Sequence, residues 1–194
     1  MGIDPAFAHV VFQTGQLEKM KQWYVQLLDG HVVYEGHNLC FMTHDGEHHR
    51  VALVQPPEPL ERKAPNAAWM HHVAYTFASL EELFQRYVEL KDKGIVPAMP
   101  VQHGVTTSLY YEDPDGNFVE MQVDNFPTPE QSTAYMFGPE FDGDAIGPWF
   151  SPEALLAGLR AGVPAADLTT RAWALAHPFE GDRDRPQAAT GDAM

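Results

Sequence analysis

The chain carries two copies of one unit, and this repeat limits its folds more than any other feature. Sliding the sequence against itself by 63 positions sets His9-Val10 on His72-Val73 and Leu17-Glu18 on Leu80-Glu81. The same shift sets Gln22 on Gln85, Tyr24-Val25 on Tyr87-Val88, Leu27 on Leu90 and Asp29 on Asp92. Two unrelated amphipathic helices share a leucine spacing, but not these identities together with the preceding His-Val. A duplicated unit predicts a duplicated supersecondary structure.

Each copy reads alike. An apolar strand, Phe7–Gln13 and then Met70–Phe77, leads into a helix. The first helix runs from about Gly15 to Leu28 with Leu17, Met20, Trp23, Tyr24 and Leu27 inward, and Gly30 is expected to stop it. The second opens on Ser79 with Glu82 three residues later, a capping box, and buries Leu80, Leu83, Phe84, Tyr87 and Leu90 before Lys93-Gly94 ends it. Short strands follow: His31–Tyr34, Leu39–Thr43 and Val51–Gln55, then Val96–Met99, Thr107–Glu112 and Phe118–Val123. Asp45-Gly46 and Asp115-Gly116 are the matching turns, with Asp113, Asp115 and Asn117 as turn formers. The expectation is an α+β chain of two β-α-β-β-β modules.

The modules are expected over 6–56 and 69–125, joined by the proline-rich linker 57–68, as one domain over 6–125. Residues 126–177 read as a C-terminal extension. It begins with an ordered wrap of little periodicity and continues with a helix from Ser151-Pro152 to near Gly162 and a second over 165–177. Residues 178–194 have the composition of a flexible tail, and the opening MGIDP is given no structural role.

Charge excludes some classes of partner. Lys+Arg 12 against Asp+Glu 27 gives a formal charge of −15, which disfavours nucleic acid and anionic membranes. A single cysteine, Cys40, fits a reducing cytoplasm, and no apolar run is long enough to span a bilayer. Exposed sheet edges favour a homo-oligomer, a dimer or higher.

The ten histidines need a reason. His9 and His72 stand at equivalent positions of the repeat, so a pseudo-twofold packing would make them converge. Glu120 lies among apolar neighbours in the last strand, FVEMQV, where a carboxylate is costly unless its charge is met. Two histidines and one carboxylate around open positions make a facial triad suited to Fe(II), with Mn(II) as the overlapping alternative. Arg50 reads as standing roughly opposite Glu120, so the triad is expected from one strand of the first module and two of the second. His71 is expected to pack or to support His72 rather than to ligate. His31, His37, His44 and His177 read as solvated.

These residues resemble a known family. Paired β-α-β-β-β units, His9 in AHVVF, His72 in HHVAY and Glu120 ending YYEDPDGNFVE look like the vicinal-oxygen-chelate superfamily. Within it they resemble the type I extradiol ring-cleavage dioxygenases, over about residues 7–162. His49 in HHRVALV matches the family's acid–base histidine, His103-Gly104 its second active-site histidine, and Tyr110 before the D-P-x-G-N turn its active-site tyrosine. GPEF and IGPWFSPEALLAGLRAG look like the small one-domain members acting on catechols of the biphenyl or alkyl-catechol type. The resemblance implies one incomplete-barrel domain. It also implies a metal held by His9, His72 and Glu120, dioxygen as co-substrate, and opening of a catechol ring beside its diol in the breakdown of aromatic compounds. Two rivals share the scaffold. A glyoxalase-type lyase or epimerase needs a fourth ligand, usually a glutamate in the last strand of the first module. A metal-free module of the bleomycin-resistance sort has no use for His9, His72 and Glu120 together.

Overall fold

The computed structural model describes residues 4–61, 64 and 68–181. Two successive runs of strand, helix and three strands appear: β1 (Val10–Gln13), α1 (Leu17–Leu28), β2 (His31–Gly36), β3 (Leu39–Thr43) and β4 (Val51–Val54) come first. They are followed by β5 (His72–Thr76), α2 (Leu80–Asp92), β6 (Met99–Gln102), β7 (Thr106–Glu112) and β8 (Phe118–Asp124). Five short helices follow among the described residues: α3 (Pro129–Met136), α4 (Pro139–Gly143), α5 (Pro152–Arg160), α6 (Ala165–Leu168) and α7 (Arg171–Ala176). The strand orders β1-β4-β3-β2 and β5-β8-β7-β6 are the same order used twice. The fold is α+β with two open four-stranded sheets and C-terminal helices, as the repeat predicts. None of the described helices is long and apolar enough to cross a membrane.

By internal contacts the chain divides into two compact units, one from the stretches 1–74, 87–96 and 111–119, the other from 75–86, 97–110 and 120–194. In the first, Met20, Tyr24 and Leu27 of α1 are buried, and Phe12 of β1 stacks on Tyr24 at 5.3 Å between ring centres. In the second, Leu80, Leu83 and Phe84 of α2 are buried, as are Leu109 and Met121. Each such side chain contributes about 1.5–3 kcal/mol on burial, which fixes the helix faces more firmly than propensity does.

Several boundaries differ from expectation, each for a local reason. β1 starts at Val10 rather than Phe7, because the carbonyls of Phe7 and Ala8 accept from Arg50 Nη1 at 2.7 and 3.0 Å instead of joining the sheet. β5 likewise begins at His72 rather than Met70. Asp29, not Gly30, takes the left-handed conformation at the end of α1, with φ 52°. Gly30 is needed for room, since a Cβ there would lie 2.5 Å from the Thr43 carbonyl. The expected strand Val96–Met99 is displaced to Met99–Gln102, where Met99 pairs with Tyr110. As the last strand in its sheet order, β6 tolerates Pro100, which has no N–H to give. The capping box of α2 is present with a shift: Ser79 Oγ accepts from Glu82 N, while Glu82 Oε2 accepts from Ala78 N, both at 3.2 Å.

The extension is more helical than its composition suggests. The wrap holds α3 and α4, each with proline in its first turn. The single helix expected over 165–177 is two, because Thr170 ends one path and caps the next by accepting from Trp173 N at 3.1 Å. The linker reading falls partly on residues 62–63 and 65–67, and the tail reading mostly on residues beyond 181. Those positions lie outside the described residues.

Asp113 does more than form a turn. Its Oδ1 accepts from Asp115 N and Asn117 N at 2.9 and 2.8 Å. Its Oδ2 accepts from Asn117 Nδ2 at 2.9 Å and from the buried Tyr24 hydroxyl of α1 at 3.1 Å. Burial pushes this carboxyl above the usual range, and the four donors oppose that. Gln16 adds a second tie between the start of α1 and the same turn, donating to Pro114 O and Asp115 Oδ1 at 2.8 and 2.6 Å. Asp113→Ala leaves these buried donors without an acceptor and is expected to lower unfolding free energy by about 2–4 kcal/mol. Urea unfolding measures this, and an unchanged midpoint would show that the tie to Tyr24 contributes nothing.

Candidate functional site

The first compact unit gathers histidines around β1 and the loop before β4. His9 immediately precedes β1, and its ring lies 4.4 Å from that of His49, centre to centre. His49 is half-buried, stacked on Phe41 at 4.7 Å, with its Nδ1 2.6 Å from that of His48. Burial first, then the neighbouring His9 and His48, holds its imidazole below the ordinary histidine range. A neutral imidazole of this kind accepts a proton near pH 7. His72 opens β5, and its Nδ1 lies 2.7 Å from that of His71, whose ring stacks on Phe118 at 5.9 Å. In such a pair one nitrogen carries the proton and the other receives it. The two rings are thus held against each other.

Arg50 is not the counterpart of Glu120. Thr14 N donates to Val54 O at 3.0 Å, and its repeat partner Phe77 N donates to Gln122 O at 2.8 Å. Val54 therefore matches Gln122, and two residues back Ala52 matches Glu120. Arg50 instead ties its own loop, through Asp45 Oδ2 at 2.9 Å and the carbonyls before β1. The duplicated strand carries a methyl group where the second module carries a carboxylate.

The second unit brings together three of the expected residues. Glu120 on β8 and Tyr110 on β7 are 4% and 6% exposed. Burial first, then the charge of Glu120 and a hydrogen bond to it, pushes the Tyr110 phenol far above its ordinary range, so it stays protonated. His103 Nε2 lies 2.9 Å from the Tyr110 hydroxyl, and its Nδ1 lies 2.5 Å from Ile146 O. A carbonyl only accepts, so Nδ1 carries the proton and the other nitrogen addresses Tyr110. Ile146 O, His103, Tyr110 and Glu120 thus stand in sequence, and the single Tyr110 proton goes either to His103 Nε2 or to Glu120. Among the described residues, no group of three or more His, Cys, Asp and Glu side chains is arranged to hold a metal ion.

The turn bearing His103 is braced by Gln102 and Asn125, which the sequence did not single out. Gln102 Oε1 accepts from Gly104 N and Asn125 Nδ2 at 3.0 and 2.8 Å. Asn125 Nδ2 also donates to Gly104 O at 2.9 Å, and Asn125 Oδ1 accepts from Thr107 at 2.8 Å. Asn125 directly follows β8, but one asparagine at a strand end carries no signal that it braces a loop. Gly104 has φ 88°, and a Cβ on it would collide with the Tyr135 ring, whose hydroxyl donates to Glu140 Oε2 at 2.8 Å. Gly94 has a similar φ of 77° with nothing within 4 Å. Alanine at Gly94 is thus expected to cost about 1 kcal/mol of backbone strain, and at Gly104 about 2–4 kcal/mol, the excess coming from overpacking. Equal losses on urea unfolding would mean that Tyr135 moves aside without cost.

The family model described as the Glyoxalase/Bleomycin resistance protein/Dioxygenase superfamily matches residues 6–121. The chain is 59% identical over 175 residues to a biphenyl-2,3-diol 1,2-dioxygenase of Rhodococcus globerulus, covering 90% of this chain and 92% of that one. A second such enzyme of the same organism is 56% identical over 176 residues, covering 90% and 93%. A solved glyoxalase/bleomycin resistance protein/dioxygenase from Nocardioides shares the fold at 18% identity and a TM-score of 0.51, over 64% of this chain and 86% of that one. The chain belongs to the Glyoxalase/Bleomycin resistance protein/Dioxygenase superfamily, as an enzyme of its extradiol dioxygenase branch.

Proposed function

We propose that the enzyme opens the ring of 3-substituted catechols, of the 2,3-dihydroxybiphenyl kind, beside the diol, using ferrous iron held by His9, His72 and Glu120. The observation that carries this reading is the buried Glu120 carboxylate with Tyr110 and His103 in line behind it. The donor set fits: two imidazoles and one carboxylate suit Fe(II) and leave coordination positions for substrate. With the Nδ1 of His72 engaged by His71, Nε2 would be the nitrogen left to hold the metal. Ala52 at the repeat position of Glu120 offers no fourth ligand, which argues against a glyoxalase-type lyase.

The chemistry iron supplies when bound is chelation of both diol oxygens and activation of dioxygen. The chain's own residues handle protons and orientation. His49, kept neutral by burial, takes the proton a catechol hydroxyl loses on binding and returns one as the ring rearranges. Tyr110 keeps its proton and donates a hydrogen bond to oxygen charge that develops on the substrate. His103, anchored at Nδ1 by Ile146 O, offers Nε2 as the resting acceptor from which the Tyr110 hydroxyl turns to the substrate. Both atoms of dioxygen enter the product, so no outside reductant is consumed.

The test is anaerobic reconstitution with ferrous iron, Mn(II) or no metal, then addition of substituted catechols in air. A yellow ring-fission product with matching oxygen uptake is expected with iron; neither colour nor uptake across the panel would sink the reading. His72→Ala is expected to lose both bound iron and turnover, while His71→Ala keeps its iron. The reverse pattern in elemental analysis would move the ligand to His71. His49→Ala is expected to keep iron and lose about 10²- to 10⁴-fold in kcat/KM.

A further inference from the structure

The C-terminal helices lie beyond residues 6–121, the stretch the family model matches. One of them carries a buried cation. Arg171, the first residue of α7, is 5% exposed. A guanidinium removed from water is costly unless its charge and donors are met. Here Nη2 donates to His103 O at 2.7 Å, and Nη1 donates to Glu140 O at 3.0 Å and Asp144 O at 2.5 Å, while the buried Nε has no acceptor among the described residues. The rings of Tyr135 and Phe141 stand 5.8 and 5.9 Å from Cζ, on which they confer a further cation–π attraction. An apolar side chain would pack this extension without any desolvation cost. What the cation adds is the set of carbonyls it gathers.

Those carbonyls belong to the support of a single imidazole. Asp144 Oδ1 accepts from Ile146 N and Gly147 N at 3.1 and 2.9 Å, forming the turn that presents Ile146 O. Ile146 O in turn meets His103 Nδ1 at 2.5 Å. The path from His103 O through Arg171, Asp144 and Ile146 back to the His103 ring is closed. One guanidinium therefore fixes the histidine's backbone and the acceptor that fixes its ring. We propose that Arg171 is a positioning residue for His103, setting the tautomer and aim of its imidazole toward Tyr110. The proposal rests on the dioxygenase reading for what His103 does, though not for how it is held.

Arg171→Met keeps the volume and removes the fork; Arg171→Lys keeps the charge but reaches fewer carbonyls. In the iron-loaded full chain, Arg171→Met is expected to lower kcat about ten- to a hundredfold with iron content unchanged, and Arg171→Lys to recover part of it. His103→Gln combined with Arg171→Met is expected to lose little more than His103→Gln alone, because both act through one imidazole. Losses that multiply in the double variant, or kcat retained in Arg171→Met, overturn the proposal. Imidazole ¹⁵N spectra of the full chain give a readout without turnover: His103 as the Nδ1–H tautomer in the parent, and a mixture of tautomers in Arg171→Met. An unchanged tautomer overturns the proposal. Where Arg171→Met fails to fold, the same cycle and spectra are read on Arg171→Lys. A parent chain that cleaves no catechol sinks the dioxygenase reading, while the tautomer comparison still decides the role of Arg171.

Discussion

A carboxylate in the middle of a sheet strand has to be answered by its surroundings, and Glu120 organises the second module for that reason. Burying such a group alone costs several kcal/mol, so the strand keeps it only where donors or a cation meet it. Tyr110 on the adjacent strand supplies one donor, at a position that is itself buried. His103 Nε2, 2.9 Å from that phenol, is a second acceptor for its one proton. His103 sits in a short turn that would wander without Gln102, Asn125 and Gly104 to close it. Each polar group thus passes its unmet valence to the next, and the chain of demands ends at backbone carbonyls.

Duplication supplied the frame, and two local departures from it set the second module's candidate site apart. The repeat places Ala52 where Glu120 stands, so only one module carries a buried carboxylate at that strand position. The turns differ too. β2 and β3 are joined at His37 and Asn38, with φ 53° and 60°, the left-handed pair of a tight hairpin. β6 and β7 are joined by His103, Gly104 and Val105, with only Gly104 at positive φ. The extra residue leaves an imidazole on a braced turn, where the first module has an exposed one that only turns the chain. His37 is exposed, as expected of it.

The secondary structure was largely legible because the repeat lets each module check the other. A helix stripe from Leu80 to Leu90 and a strand such as Leu39–Thr43 state their burial in their spacing. What failed were features set by a partner rather than by period. β6 is placed by its pairing with Tyr110, which no local pattern of Val96–Met99 encodes. Asp29 rather than Gly30 turned left-handed because the glycine was needed for contact with Thr43. Among candidate site residues, His103 and Tyr110 were singled out by motif context and Glu120 first by its apolar strand, and the structure places the three near one another. Arg50 was placed opposite Glu120 because the shift that aligns the helices does not carry through to the last strands, whose loops differ in length. Arg171 gave no signal at all, since an arginine at a helix start is ordinarily solvated and its carbonyl partners lie 27, 31 and 68 residues away.

The ends of the hydrogen-bonded line decide how its middle behaves. Ile146 O and the Glu120 carboxylate can only accept, so the protons lie on the two groups between them. The His103 ring is fixed at Nδ1, which leaves the Tyr110 hydroxyl as the one rotor in the line. It can turn toward Glu120 or toward His103 Nε2. Preorganisation of this kind costs nothing at the moment of reaction, because the backbone was ordered when the chain folded. A site histidine held at its carbonyl and at one ring nitrogen has its direction set before any substrate arrives.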